Sequence, residues 1–99
     1  MKEPVKVTRK LAESLAIQAL TFIAADPERL GRFLALTGIG PGDIRNAARA
    51  PHFLAGVLDH LGGDEQLLVA FAGDAQIDPN LVAAARTVLA RQSREHEAP

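Results

Sequence analysis

Apolar residues recur along this chain at intervals of three and four positions, the spacing that places side chains on one face of an α-helix. Three segments carry the clearest stripes of this kind. The stripes comprise residues 53, 54, 57, 58 and 61; residues 67, 68, 71, 72 and 75; and residues 81, 82, 85, 88 and 89. A strand could not present any of these sets on one side, so the pattern predicts an all-α fold.

Prolines mark the starts of the predicted helices. Pro27 and Pro79 each follow an aspartate that can cap a helix, and Pro41 and Pro51 follow small residues. Proline is favoured at the first helical position because its missing N–H would have no partner there and its φ is already helical. With these boundaries, the predicted helices span approximately residues 9–25, 27–36, 41–49, 51–62, 65–75 and 79–92.

The connections between these helices are only two to four residues long, so successive helices must turn sharply against their neighbours. We therefore expect a compact single-domain bundle of five or six short helices. The helical domain should span residues 9–90, between a flexible N-terminal tail at 1–8 and a polar C-terminal tail at 91–99.

Composition excludes several classes of site. The chain has 99 residues and no cysteine, which rules out disulfides, thiolate zinc sites and cysteine nucleophiles. The absence of cysteine fits a cytoplasmic protein, which is the location we expect. The formal net charge is only −1, so no global field would draw the chain to nucleic acid or to an anionic membrane.

Residues suited to catalysis or metal binding are few. Ser14 and Ser93 have no histidine at a recognisable offset, and no phosphate-binding or dinucleotide-binding glycine motif occurs. His52 and His60 lie eight residues apart on one predicted helix, about 12 Å at 1.5 Å per residue, too far to share one ion. We expect no enzyme activity, no cofactor and no metal.

A turn built from Gly38, Ile39 and Gly40 is the segment whose spacing most suggests a chemistry. Two glycines around an apolar residue resemble the turn of a helix-hairpin-helix motif, in which backbone amides bind phosphate without reading bases. By that resemblance, Arg45 and Arg49 would join the three turn residues as nucleic-acid contacts. The other interpretation is a tight link between two packed helices.

The sequence also departs from the helix-hairpin-helix pattern. Gly42 stands where a basic or polar residue usually grips the strand, Asp43 adds a negative charge near the phosphate, and Pro51 shortens the second helix. We therefore favour the structural link, with non-specific nucleic-acid binding as the alternative function.

Charge is unevenly distributed along the chain. Residues 59–78 contain five acidic residues and no lysine or arginine. Helix capping and a solvated face account for such a segment, and a docking surface for a basic protein partner is the functional alternative. The candidate docking residues are Asp59, Asp64, Glu65 and Asp74. A second candidate surface is the set Arg29, Arg32, Arg45 and Arg49, whose spacings place them in pairs on helix faces.

Several short segments, taken together, give the chain a resemblance to a family of small uncharacterised alphaproteobacterial proteins, a domain of unknown function. The resemblance covers roughly residues 11–90. It is carried by residues 25–30, 32–38, 43–45, 51–54, 57–59 and 64–68. It implies no activity, cofactor or partner. We therefore expect a non-enzymatic cytoplasmic helical domain of unknown function that acts by binding another macromolecule, a protein in our leading hypothesis.

Overall fold

A computed structural model of the chain describes the backbone of residues 7–97 and the side chains of that range except Pro41 and residues 93–97. The described residues form helices joined by short turns and contain no strand, which confirms the all-α prediction. In chain order the helices are α1 (Arg9–Ala24), α2 (Pro27–Thr37), a 3-10 turn (Pro41–Asp43), α3 (Ile44–Ala47), α4 (Pro51–Gly62), α5 (Glu65–Ala75) and α6 (Pro79–Glu97).

Side-chain caps begin the helices where the sequence predicts them. Thr8 Oγ1 accepts the Leu11 amide at 3.1 Å at the start of α1, and Asp26 Oδ1 accepts the Glu28 amide at 2.9 Å at the start of α2. Asp64 caps α5 in the same way. Each cap pairs an amide that would otherwise have no partner in the first turn.

The segment predicted as one helix over 41–49 is broken in the structure. A 3-10 turn at 41–43 is followed by only four α-helical residues, and the chain then tightens into a turn in which the Ala50 amide donates to the Ala47 carbonyl at 2.9 Å. Gly42 has a low helix propensity. Pro51 pushes the preceding Ala50 out of the helical region, to φ −93° and ψ 126°.

Helix α6 continues to Glu97, past the predicted end at residue 92. The backbone of 93–97, which lies within the predicted polar tail, is therefore helical. Arginine, glutamine, glutamate and alanine are all good helix formers, and no proline or glycine interrupts them before Pro99. Residues 1–6 and 98–99, the remainder of the two predicted tails, lie outside the described residues.

The core forms where α1, α4 and α6 pack against one another. The inward residues of α4 and α6 belong to the stripes read from the sequence, among them Leu54, Leu58 and Leu89, and α1 contributes Ile23. The molecule measures 45 × 39 × 19 Å, which is about two helix diameters in its thinnest direction.

The flanking helices α2 and α5 are anchored more sparsely. Helix α2 buries only Phe33, and α5 buries only Phe71 and Ala72. Phe33 packs edge-on against Phe53 of α4 at 6.0 Å between ring centroids, and Phe71 packs against Phe22 of α1 at 5.6 Å. Because few residues of these two helices are fully buried, open grooves remain beside them.

Candidate functional site

A groove lies between the C-terminal half of α2 and the junction of α4 with α5; we call it the corner groove. Three of the four acidic residues predicted as a docking surface lie here. The groove is lined by Arg32, Leu36, Asp59, His60, Gly63, Asp64, Glu65 and Gln66.

Leu36 is the most exposed large apolar side chain of the described residues, at 70%. It lies three residues after Phe33, which is completely buried and holds α2 to the core. Leu36 instead shares the outer face of α2 with Arg32, four residues earlier. The groove therefore has an apolar wall that nothing within the described chain covers.

His60, on α4, is a partly buried lining residue of the corner groove. Its ring meets the Phe33 ring edge-on, with centroids 5.2 Å apart and an interplanar angle of 79°. Burial lowers the pKa of His60 below its ordinary value; the Asp64 carboxylate opposes this shift, and the Arg32 guanidinium adds to it. The neutral imidazole is thus the form that fits the packed position.

The carboxylates of the groove differ in how far they are already engaged. Asp59 accepts a hydrogen bond from Arg86 Nη1 at 2.8 Å, an ion pair between α4 and α6. Asp64 uses Oδ1 to cap α5 through the Leu67 amide at 3.2 Å. Glu65 is exposed in the first turn of α5. A cationic ligand side chain would therefore meet Glu65 and the second oxygen of Asp64 first.

Asp74 does not belong to this cluster, which corrects the predicted four-residue surface. It lies nine residues after Glu65 on α5, about 14 Å away at 1.5 Å per residue, and lines a different groove beside Phe22 and Phe71. The acidic composition of residues 59–78 did not indicate that the two ends of α5 line different grooves.

The predicted arginine surface is also divided. Arg29 lies over the Phe22 ring, with its guanidinium carbon 4.2 Å from the ring centroid, and its Nε is 3.7 Å from the Asp26 carboxylate. Arg32 instead lines the corner groove. Arg45 and Arg49 are exposed around α3, on a separate element of the chain.

Two amides of the turn at Gly38–Gly40, those of Gly38 and Ile39, donate hydrogen bonds within the chain. Gly38 ends α2 in the left-handed conformation, with φ 73°, and its amide donates to the Leu34 carbonyl at 2.8 Å. The Ile39 amide donates to Thr37 Oγ1 at 3.4 Å, and the Ile39 side chain packs against the core. These features are those of a helix C-cap that links two helices.

The surroundings of the turn do not favour phosphate binding. A Cβ atom at Gly40 would stand 3.2 Å from Asp43 Oδ2, so a carboxylate lies directly beside the second glycine. The helix that follows the turn, α3, has only four residues and therefore offers almost no helix dipole. Arg45 and Arg49 would have to overcome the repulsion between a bound phosphate and the Asp43 carboxylate.

The described part of the chain lacks two further kinds of feature. Among the described side chains, no three histidine, aspartate or glutamate residues gather in an arrangement that could hold a metal ion. None of the described helices combines the length and the apolar character needed to cross a bilayer.

Sequence reasoning did not identify Leu36 as a surface residue. Leucine in a helical stripe is usually a core residue, and Leu34 and Phe33 beside it do pack inward. The available signal was its register, since Leu36 follows Arg32 by four positions and Arg29 by seven, which places it on the charged face of α2.

Comparison with known proteins identifies a family for almost the whole helical domain. The match begins at Arg9, the first residue of α1, and ends at Gln92 within α6. No curated protein and no solved structure matches the chain. The chain belongs to the family described as "Protein of unknown function (DUF3572)", which matches residues 9–92.

Proposed function

We propose that this chain is a non-enzymatic domain that binds a basic, partly apolar segment of another protein in the corner groove. The observation that carries the proposal is the placement of Leu36, 70% exposed, beside the carboxylates of Asp64 and Glu65. An apolar side chain of the partner would pack on Leu36, and a lysine or arginine next to it would reach the carboxylates.

The balance of charge around the groove supports a basic ligand. Asp59, Asp64 and Glu65 contribute three negative charges, against Arg32 in the groove wall and Arg86 in its pair with Asp59. One negative charge remains in excess. Such complementarity speeds encounter and selects among partners more than it adds affinity, so the apolar contact at Leu36 must supply much of the binding free energy.

The cytoplasm is the proposed location, because a chain of 99 residues without cysteine is typical of a reducing compartment. The alphaproteobacterial source implied by the sequence resemblance is part of the same proposal.

A comparison of variants tests the function. The chain is immobilised and exposed to lysate of its source cells, alongside Leu36→Gln and the control Val69→Gln, which replaces another exposed apolar residue, 57% exposed, outside the groove. We expect a protein retained by the wild type and by Val69→Gln whose recovery falls about tenfold with Leu36→Gln, equivalent to about 1.4 kcal/mol. Its recovery should also fall with Glu65→Gln and with added salt.

The same set of captured proteins for the wild type, Leu36→Gln and Glu65→Gln would contradict the proposal. A second arm uses a fluorescent DNA duplex at low salt, where we expect no binding. Salt-sensitive binding of the duplex that is lost in Arg45→Glu would replace protein binding with the nucleic-acid alternative.

A further inference from the structure

A second groove lies between α1 and α5, on a surface separate from the corner groove; we call it the α1–α5 groove. It encloses about 650 Å³. Its lining residues are Ile17, Gln18, Thr21, Phe22, Ala25, Arg29, Phe71, Asp74 and Ala75. On α1 these residues recur at helical spacing, so they form a second stripe beside the one that faces the core.

The groove has an apolar centre that the described chain leaves open. Phe71 is buried at its base and Phe22 is half-buried, whereas Ile17 on the α1 wall is 48% exposed. Burial of these groups against another surface would remove apolar area from water, which is the main driving force of association.

The polar side chains of the α1 wall already have partners within their own helix. Thr21 Oγ1 donates to the Ile17 carbonyl at 3.0 Å, and Gln18 Nε2 donates to Ser14 Oγ at 3.3 Å. The Thr21 hydroxyl keeps its hydrogen bond when the groove is covered, so its donor is not left unpaired on desolvation.

Two side chains of opposite charge line the groove, and they come from different helices. Arg29, near the start of α2, stacks over Phe22, contacts Asp26 and provides the positive charge. Asp74 on α5 provides the negative charge. A surface with one charge of each sign on either side of an apolar centre is complementary to itself after a two-fold rotation.

We propose that the α1–α5 groove is the centre of a two-fold interface between two copies of this chain. In that arrangement Arg29 of each copy faces Asp74 of the second copy, and the two Ile17 side chains lie close to the axis. A specific interface commonly covers about 800 Å² on each partner, so the contact extends beyond the groove along the exposed face of α1. The inference concerns a different surface from the proposed protein-binding groove and does not depend on it.

The first measurement is the molar mass in solution as a function of protein concentration, by sedimentation equilibrium. We expect the wild type to associate reversibly to a dimer. Ile17→Glu should raise the dissociation constant at least about tenfold, because it places two carboxylates at the apolar centre. Val69→Glu is the matched control, since it adds the same charge at an exposed β-branched residue of α5 outside the groove, and it should dimerise as the wild type does.

Charge reversal provides a sharper test. Arg29→Glu alone and Asp74→Arg alone each place like charges opposite one another in a homodimer, so each variant should be monomeric at concentrations where the wild type is dimeric. An equimolar mixture of the two variants should form a heterodimer, because every facing pair then has opposite signs again. Only contact between chains can produce that recovery, and the circular dichroism of each variant establishes that it is folded.

A wild type that stays monomeric up to about 1 mM would overturn the proposal, because a dissociation constant above that concentration is far weaker than those of specific complexes. So would a dimer that neither Ile17→Glu nor charge reversal weakens, since its interface would lie elsewhere. A mixture of folded Arg29→Glu and Asp74→Arg chains that remains monomeric would also overturn it. Occupation of the groove by a different protein would appear as a monomeric wild type and counts among these contrary results.

Discussion

The guanidinium of Arg86 donates to the carboxylate of Asp59 across 2.8 Å, a contact that joins α6 to α4 over 27 positions of sequence. Both side chains are at least half exposed, at 50% for Arg86 and 68% for Asp59. The pair therefore interacts through a medium close to water, and its main consequence is to reduce the negative charge of the corner groove.

Removal of this ion pair should change stability only slightly. In a double-mutant cycle with Asp59→Asn and Arg86→Gln, we expect a coupling free energy of about 0.2–1 kcal/mol, as for other exposed pairs. Urea unfolding followed by circular dichroism measures it, and the coupling should fall at about 1 M salt, where the screening length is near 3 Å. A coupling free energy well above this range would show that the pair is more shielded from water than its exposure indicates.

Phe33 should be among the most sensitive positions for stability. Its ring is completely buried between Phe53 and His60, and it is the one buried residue of α2. Phe33→Ala should reduce the free energy of unfolding by about 3–5 kcal/mol, a large part of the stability of a small domain. Chemical unfolding of the purified variant measures this loss.

The neighbouring Leu36→Ala provides the control for Phe33. Because Leu36 is exposed, its truncation should change the free energy of unfolding by no more than about 0.5 kcal/mol. Equal losses in Phe33→Ala and Leu36→Ala would contradict the orientation of α2 and, with it, the exposed wall of the corner groove.

Stability should decline in mild acid because of His60. Burial lowers its folded-state pKa below the ordinary value of 6.5, while Asp64 raises and Arg32 further lowers it. The unfolded chain therefore binds the proton more readily, so stability falls as the pH drops from about 6.5 through the folded-state pKa. Above this window the imidazole is neutral in both states and contributes no pH dependence.

Thermal unfolding between pH 7.5 and 5 measures this effect. His60→Gln should remove the part of the pH dependence that belongs to this window, whereas His52→Gln, at the exposed start of α4, should leave it in place. An unchanged slope in His60→Gln would show that the imidazole is as well solvated in the folded chain as in the unfolded one.

The end of α5 carries backbone strain that glycine should relieve. Gln76 adopts the left-handed backbone conformation with φ 57°, which residues other than glycine rarely adopt. Gln76→Gly should raise the free energy of unfolding by about 0.5–1 kcal/mol, since the strain removed exceeds the added freedom of the unfolded chain.

The reverse substitution at the end of α2 is the matched comparison. Gly38 has φ 73°, so Gly38→Ala should lower the free energy of unfolding by about 1 kcal/mol, because alanine is strained in this conformation. Urea unfolding of both variants tests the pair, and effects of the same sign would contradict this account of the two helix ends.

Local sequence rules located most helix boundaries because the residues that set them act within one turn. Asp26 with Pro27 fixes the start of α2 through a cap and a preset φ, whatever the rest of the chain does. The prediction of one continuous helix over 41–49 was wrong because Gly42 and Pro51 weaken that helix at its two ends. The periodicity of apolar residues carries no information about this weakening.

The candidate site was only partly predictable, because it depends on how helices meet. Asp59 and Glu65 come together through the turn at the end of α4, and short range in sequence made that expectation possible. Asp74 is nearly as close in sequence yet faces another groove. Leu36 became a candidate only when the packing of Phe33 established which face of α2 points outward.

Site-specific photo-crosslinking in the source cells shows whether the corner groove contacts another protein. A photoreactive amino acid replaces Leu36 in one variant and Val69 in a control, and covalent adducts are identified after illumination. We expect one protein adduct at position 36 that is absent at position 69, with the crosslinked segment rich in lysine or arginine. Adducts that are absent at position 36, or the same at both positions, would contradict protein binding at the corner groove.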